Sequence, residues 1–178
     1  MRKFWLTLTD ARIRAVLKAL RASGPGIGEL VKEPAAAPAF FRPLRAALAA
    51  ASAAPASSPA ASRALAAAED FTVRLENFFS YLALHKTAPD APAREALLYL
   101  QRACGEAPGL LSPGGRAGAA AGIRGLCAGA HKSLALARAA AGSSPDGFPQ
   151  NLKFSSIYSG LDAVFNAYES CAEALFKI

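Results

Sequence analysis

The sequence predicts a fold built only from α-helices. Alanine, the best helix former, supplies 44 of the 178 residues. Valine, isoleucine and threonine together supply only 13, which leaves too little β-branched material for a sheet. The Ser-Pro pairs at residues 58–59 and 112–113 and the Asp-Ala-Pro triplet at residues 90–92 combine a cap residue with a proline in the first turn of a helix. We therefore expect a single domain, residues 1–178, folded as an irregular bundle of about six helices.

The N-terminal part of the chain is basic and is expected to begin with one short helix. Asp10 is the expected cap of a helix that runs to residue 22, in which the apolar side chains recur at helical spacing. The run at residues 23–26, Ser-Gly-Pro-Gly, is expected to end this helix. It is not a phosphate-binding loop, because no strand precedes it and no Lys-Ser or Lys-Thr pair follows it directly. Residues 1–34 are thus predicted as a basic helix and loop, with a second short helical piece at 27–32.

Alanine is most concentrated in residues 46–68, which contain 14 alanines. High helix propensity favours one helix over residues 40–54 and another beginning at Ser58-Pro59, with a turn between them. The same composition, poor in large apolar side chains, also fits a segment that is partly flexible.

Two helices with a clearer pattern follow. Phe71, Leu75, Phe78 and Leu82 repeat with 4-3-4 spacing, which is typical of a helix with one buried face. Thr-Ala-Pro at residues 87–89 ends that helix, and Asp90 caps the next one, which is expected to close near residue 105.

The last two predicted helices are complementary in bulk. The first, over residues 112–141, has no aromatic residue and carries glycines with 4-4-3-4 spacing: Gly114, Gly118, Gly122, Gly125 and Gly129. The second, from residue 155 or 156 to residue 178, is rich in aromatics. We expect the Gly/Ala-rich helix to pack antiparallel against the aromatic-rich C-terminal helix, with the glycines in a close helix contact.

A row of basic side chains on the Gly/Ala-rich helix is the candidate ligand-binding site. Arg124, His131 and Arg138 stand seven residues apart, so they project from one helix face at intervals of about 10.5 Å, and Lys132 flanks them. Guanidinium groups bind phosphate or carboxylate, and a histidine between them can carry a proton. The alternative is a solvated polar face without a ligand.

This row resembles two families of all-α proteins without matching either. Nucleases of the HEPN type carry an arginine and a histidine four to six residues apart on a helix. Arg124 and His131 have six residues between them, but Gly125 replaces the polar residue usual after the arginine. Histidine phosphotransfer domains carry lysine three places after the histidine, where this chain has Leu134. An HEPN-like ribonuclease using Arg124 and His131 is kept as an alternative.

No metal site, cofactor or catalytic residue is expected. The chain has two histidines, and its three cysteines, Cys104, Cys127 and Cys171, form no CxxC pair. These cysteines are predicted to be reduced core thiols that pack as small apolar groups.

The net charge of +7 is concentrated near the N-terminus, where residues 1–60 carry nine basic and three acidic groups. Such a surface attracts nucleic acid or an anionic membrane surface. No helix-turn-helix, zinc-finger or RNP motif accompanies it, and no stretch is apolar and long enough for a transmembrane segment.

These observations favour a non-catalytic helical adaptor, regulatory or assembly protein located in the cytoplasm, since no secretory signal is recognised. The expected partner is another protein, or a second copy of the chain in a homodimer. The alternative is a nucleic-acid-binding protein, with or without ribonuclease activity.

Overall fold

The architecture is a bundle of helices joined by short connections. The computed structural model describes residues 10–55, 58–143 and 147–178, and within these ranges it contains six α-helices, two 3₁₀-helices and no strand. The α-helices are α1 (Ala11–Lys32), α2 (Ala37–Ser52), α3 (Pro59–Leu84), α4 (Ala91–Glu106), α5 (Arg116–Ser143) and α6 (Phe148–Phe176). The 3₁₀-helices are Pro34–Ala36 and Ala107–Leu111. The predicted all-α bundle is confirmed.

One continuous core contains buried side chains from every α-helix. The most extensive contact joins α3 and α6. In it, the rings of Phe71 and Tyr168 meet edge to face with their centroids 5.5 Å apart, and both side chains are fully buried. Burying one side chain of this size is worth about 1.5–3 kcal/mol, so this contact contributes strongly to folding. The buried stripe predicted on α3 is confirmed.

Three predicted helix starts are confirmed by their caps. The Asp10 carboxylate accepts hydrogen bonds from the backbone N–H of Arg12 at 2.7 Å and of Ile13 at 3.3 Å. The Ser58 hydroxyl and the Asp90 carboxylate each accept one from the backbone N–H three residues later, at 3.1 and 3.0 Å. Each cap satisfies backbone donors that the first turn of a helix leaves unpaired.

The prediction that the first helix ends at residue 22 is wrong. α1 continues through Pro25 to Lys32, and the expected loop is helical. Proline inside a helix costs about 3 kcal/mol, whereas burial of Ile27 and Leu30 returns about 1.5–3 kcal/mol each. Tertiary packing therefore outweighs the local tendency to stop.

The small residues of this segment also permit close packing. A Cβ atom added at Gly26 would lie 2.1 Å from Cζ of Phe40, and one added at Gly24 would lie 3.4 Å from the carbonyl oxygen of Gln101. The glycines that predicted a loop are thus the places where α1 touches its neighbours.

The Ala-rich region forms helix on both sides of a turn. α2 ends at Ser52 and α3 begins at Pro59, while residues 56 and 57 lie outside the described ranges. The Arg12 guanidinium links the end of α2 to the start of α3. It donates hydrogen bonds to Ser62 Oγ at 2.6 Å and to the carbonyl oxygens of Ser52 and Ala54 at 3.0 and 2.6 Å. One arginine of the basic segment is therefore a structural residue.

Two predicted boundaries near the C-terminus are wrong. α5 begins at Arg116 rather than 112, because residues 112–115 form a turn in which the Ser112 carbonyl accepts from the N–H groups of Gly115 and Arg116. α6 begins at Phe148, about seven residues early, directly after Gly147 with φ 104°. Residues 144–146 lie outside the described ranges.

The glycines at 114–129 do not lie in the predicted contact with α6, so that prediction is also wrong. Among the described residues, a Cβ added at Gly114, Gly118, Gly122 or Gly125 would meet nothing within 4 Å, and one added at Gly129 would lie 3.5 Å from the ring of Tyr99 on α4. The opposite side of α5 is buried through Ile123, Cys127, Ala130 and Leu134. Among the described helices, none is long and apolar enough to cross a membrane.

Candidate functional site

The predicted row of basic side chains lies beside α6. α5 and α6 run antiparallel, so that Arg138 is level with Asp162 and His131 with Phe165 and Glu169. His131 and Arg138 contact α6, whereas Lys132 is exposed on the solvent side and Arg124 is exposed at the far end of the row. The structure thus brings together two of the four predicted residues.

His131 lies between two carboxylates. Its Nδ1 is 3.1 Å from Asp162 Oδ1 and its Nε2 is 3.4 Å from Glu169 Oε2, while the ring rests against Phe165 with centroids 5.6 Å apart. A neutral imidazole has one N–H donor, but the imidazolium form has two and satisfies both carboxylates. The ring is therefore held between its own anionic neighbours.

Asp162 contacts both His131 and Arg138. Its Oδ2 accepts a hydrogen bond from Nη2 of Arg138, while its Oδ1 faces His131. Nε of Arg138 is buried and has no hydrogen-bond partner among the residues that the structure describes. Arg138 is paired with Asp162, and both ring nitrogens of His131 face carboxylates, so an incoming phosphate would meet the carboxylates of Asp162 and Glu169. This geometry disfavours phosphate capture at the His131 cluster.

Asp162 and Glu169 were not identified from the sequence. They stand seven residues apart on the last helix, the same interval that separates Arg124, His131 and Arg138. Matching these two periods across the predicted antiparallel pair is the signal that could have found them.

A groove of about 440 Å³ lies beyond the His131 cluster, between α5, α6 and the second 3₁₀-helix. We call it the α5/α6 groove. Its apolar lining consists of Leu110, Ala120, Ile123, Ala172 and Phe176, and its charged rim of Arg124, Glu169, Glu173 and Lys177.

The rim of the α5/α6 groove has a basic wall and an acidic wall. Arg124 projects from α5, while Glu169 and Glu173 project from α6. Glu173 Oε1 is 2.5 Å from Lys177 Nζ, and this hydrogen bond with the nearby positive charge holds the pKa of Glu173 below its ordinary value. Phe176 is 39% exposed at the end of the groove. The groove therefore offers apolar surface together with charges of both signs.

Small residues cover the side of α5 that faces solvent. The exposed positions between residues 117 and 128, apart from Arg124, are Ala117, Gly118, Ala121, Gly122, Gly125 and Ala128. No side chain longer than a methyl group blocks access to the backbone there. We call this strip the α5 small-residue face.

The three cysteines are free and buried, as predicted. Burial, together with the neighbouring charge of Glu169 and a hydrogen bond to it, raises the pKa of the Cys127 thiol to about 12, and burial raises that of Cys171 to about 12. A thiol with so high a pKa is protonated at neutral pH and is a poor nucleophile. Within the described ranges, no group of three His, Cys, Asp or Glu side chains is placed to hold a metal ion.

Comparison with known proteins gives no match to a family model, to a curated protein or to a solved structure.

Proposed function

We propose that the chain is a non-catalytic helical adaptor or assembly protein that binds another protein through the α5/α6 groove. The observation that supports this proposal is the apolar floor of the groove, with the exposed ring of Phe176 at its end, bordered by charges of both signs. Apolar surface surrounded by a polar rim is the usual composition of a protein-binding surface.

The shape of the groove favours a helical partner over a small molecule. Sites for small molecules bury most of their ligand, about 70–90% of its surface. The α5/α6 groove is instead bordered by exposed side chains, including Arg124, Glu173 and Phe176. An amphipathic helix that places apolar residues at every third or fourth position on this surface would cover the apolar lining and leave the rim hydrated.

The His131 cluster does not add support for catalysis. In an HEPN-like ribonuclease, Arg124 and His131 would act together on a phosphodiester. Here both ring nitrogens of His131 face Asp162 and Glu169, and Arg124 stands over the α5/α6 groove instead. We expect Arg138 and His131 to hold α5 against α6 and so to shape the groove.

The proposal is tested by placing a photo-crosslinking amino acid at Ala121, beside the groove, in cells of the source organism. The captured protein is identified, purified and titrated against the purified chain. We expect micromolar or tighter binding that the Phe176→Glu variant weakens at least about tenfold, which corresponds to about 1.4 kcal/mol. Leu98→Glu is the matched control, since Leu98 is an exposed apolar residue of α4.

Two results contradict the proposal. One is that no captured protein binds the purified chain. The other is that Phe176→Glu and Leu98→Glu bind equally well, because the groove would then contribute nothing to recognition.

Nucleic acid is a second candidate partner, favoured by one observation on α1. Arg14, Lys18 and Arg21 are exposed at i, i+4 and i+7 on one face of that helix, and no ion pair is observed for them within the described ranges. The apolar side of α1 is buried, through residues such as Val16 and Leu20, so the helix has little left to insert into a membrane. A backbone phosphate contact is the interaction that three such cations would make.

A further inference from the structure

We infer that the protonation state of His131 determines which cation holds Glu169, and that the charge of the α5/α6 groove therefore depends on pH. Glu169 belongs to two places in the molecule. Its carboxylate faces Nε2 of His131 at 3.4 Å, and its side chain also lines the groove, on the wall opposite Arg124. The inference rests on the proposed function, since it concerns the regulation of the same groove.

The hydrogen-bonding capacity of the His131 ring is the first argument. An imidazole has one N–H donor when it is neutral and two when it is protonated. Nδ1 lies 3.1 Å from Asp162 Oδ1 and Nε2 lies 3.4 Å from Glu169 Oε2, so only the protonated ring can donate to both carboxylates. When the ring is neutral, one ring nitrogen presents a lone pair to a carboxylate oxygen, and two acceptors that face each other repel.

Glu169 is the carboxylate that leaves the neutral ring. Asp162 is held a second time, because its Oδ2 accepts a hydrogen bond from Nη2 of Arg138. The Asp162 side chain is 26% exposed, against 41% for Glu169. The other group that holds Glu169 is the Cys127 thiol, which is a weak hydrogen-bond donor. The single N–H of a neutral ring therefore remains with Asp162, and Glu169 is released.

Arg124 is the cation that receives Glu169 on the groove side. The two side chains line the groove from opposite walls, and no ion pair of Arg124 is observed within the described ranges. The other carboxylate of the rim, Glu173, is already 2.5 Å from Lys177 Nζ. A neutral His131 thus allows Glu169 to neutralise Arg124. A protonated His131 retains Glu169 and leaves Arg124 available to a carboxylate of the partner.

His131 is the group of this cluster that titrates near neutral pH. The charge of a histidine ordinarily changes between about pH 5 and 8, whereas carboxylates and guanidinium groups keep theirs above about pH 6. On the α4 side of the helix, Glu95 accepts a hydrogen bond from Ser133 at 2.8 Å. The ionisable groups around the His131 ring come from α5 and α6: Asp162, Glu169, Arg138 and Cys127.

The experiment is NMR of the isotope-labelled full chain between about pH 6 and about 8.5. The reporters are the side-chain nitrogen of Arg124 and the carboxyl carbon of Glu169. We expect both signals to shift with the same midpoint as the ring signals of His131. His85→Gln is the matched control, since His85 is the other histidine of the chain and is exposed directly after α3, and both signals should still shift in it.

Two variants separate the steps of the exchange. His131→Gln retains a side chain that donates and accepts hydrogen bonds but does not titrate, so Arg124 and Glu169 should lose their response to pH. Glu169→Gln removes the charge that is exchanged. In this variant the His131 ring should still titrate, while the Arg124 signal no longer follows it. Circular dichroism shows that each variant remains helical.

Three outcomes overturn the inference. The first is a wild-type His131 ring that keeps one charge state across the range, and the second is a ring that titrates without any shift of the Arg124 and Glu169 signals. The third is a pH response of Arg124 that persists in His131→Gln or in Glu169→Gln. These measurements use the chain without a partner, so they can fail while the proposed function stands. The proposed function fails separately, when no captured protein binds with dependence on Phe176.

Discussion

α1 and α5 both contain several glycines within a helix, yet the glycines lie in opposite surroundings. In α1, a Cβ added at Gly26 would overlap the Phe40 ring, and one added at Gly24 would contact the Gln101 carbonyl oxygen at 3.4 Å. In α5, Gly118, Gly122 and Gly125 face open space. A sequence shows that a glycine is present but not what approaches it. The comparison teaches that helical glycines mark either a contact already made within the chain or one still available to a partner.

The largest expected difference between the two helices comes from adding a leucine. Gly26→Leu should lower the free energy of unfolding by about 3 kcal/mol, because the new side chain must displace the Phe40 ring. Gly122→Leu should leave it within about 0.5 kcal/mol or raise it. Urea denaturation of dilute protein measures both values. Equal losses in the two variants would show that the α5 small-residue face is covered within a single subunit.

Two arginines of α1, Arg12 and Arg14, allow the same comparison between a position in contact with other helices and an exposed one. Arg12→Met should destabilise the chain by about 2 kcal/mol, because it removes charged hydrogen bonds to Ser62 and to the carbonyl oxygens that end α2. Arg14→Met, two residues later on the exposed side of α1, should change stability by less than about 0.5 kcal/mol. Thermal melts of the two variants beside the wild type give the answer, and a similar Tm for both would contradict a structural role for Arg12.

The buried side of α5 makes stability depend on pH in the alkaline range. The pKa of Cys127 is raised from 9.0 to about 12 in the folded chain, so the unfolded thiol loses its proton first. The protonated Cys127 thiol therefore makes its full contribution to the free energy of unfolding below pH 9, and this contribution is lost as the pH rises from 9 towards 12. Cys127→Ala should reduce the slope of unfolding free energy against pH in that range. An unchanged slope would show that Cys127 ionises equally in both states.

Alanine substitution separates the two kinds of glycine on a smaller scale. Gly125→Ala should stabilise the monomer by up to about 1 kcal/mol, since it gains helix propensity and meets nothing. Gly24→Ala should gain less, because its Cβ would lie 3.4 Å from the Gln101 carbonyl oxygen. A larger gain in the free energy of unfolding at Gly24 than at Gly125 would show that Gly24 is the more open of the two positions.

The smallest expected effect concerns the basic face of α1. Changing Arg14, Lys18 and Arg21 to Glu, with Arg12 left in place, should preserve the helical signal. The wild type is expected to bind nucleic acid no more tightly than about 10 μM near physiological salt, so the triple variant should differ little from it. Submicromolar binding that the triple variant loses would make nucleic acid the better assignment of partner.

The features predicted correctly depend on residues close together in the chain. Asp10, Ser58 and Asp90 cap backbone groups two or three positions away, so their role is visible in the sequence itself. The passage of α1 through Pro25 depends instead on Phe40 and on α4, which lie far along the chain. No local pattern contains that information.

The candidate site likewise has one part that local sequence spacing predicts and one part that depends on another helix. The common face of Arg124, His131 and Arg138 follows from helical periodicity and is observed. What these side chains meet is decided by Asp162 and Glu169, residues of another helix. Identifying them requires the register between α5 and α6, which sequence spacing alone does not fix.

The extensive contact between α3 and α6 has a consequence for biosynthesis. The Cys171 thiol reaches the Ala64 carbonyl across 107 residues of sequence, and Tyr168 covers Phe71 in the same layer. During synthesis, the first five helices are therefore complete before α6, which covers the apolar face of α3, has been made. During that interval the apolar face of α3 is exposed on the nascent polypeptide and is a natural substrate for chaperones. The core closes only when α6 has left the exit tunnel.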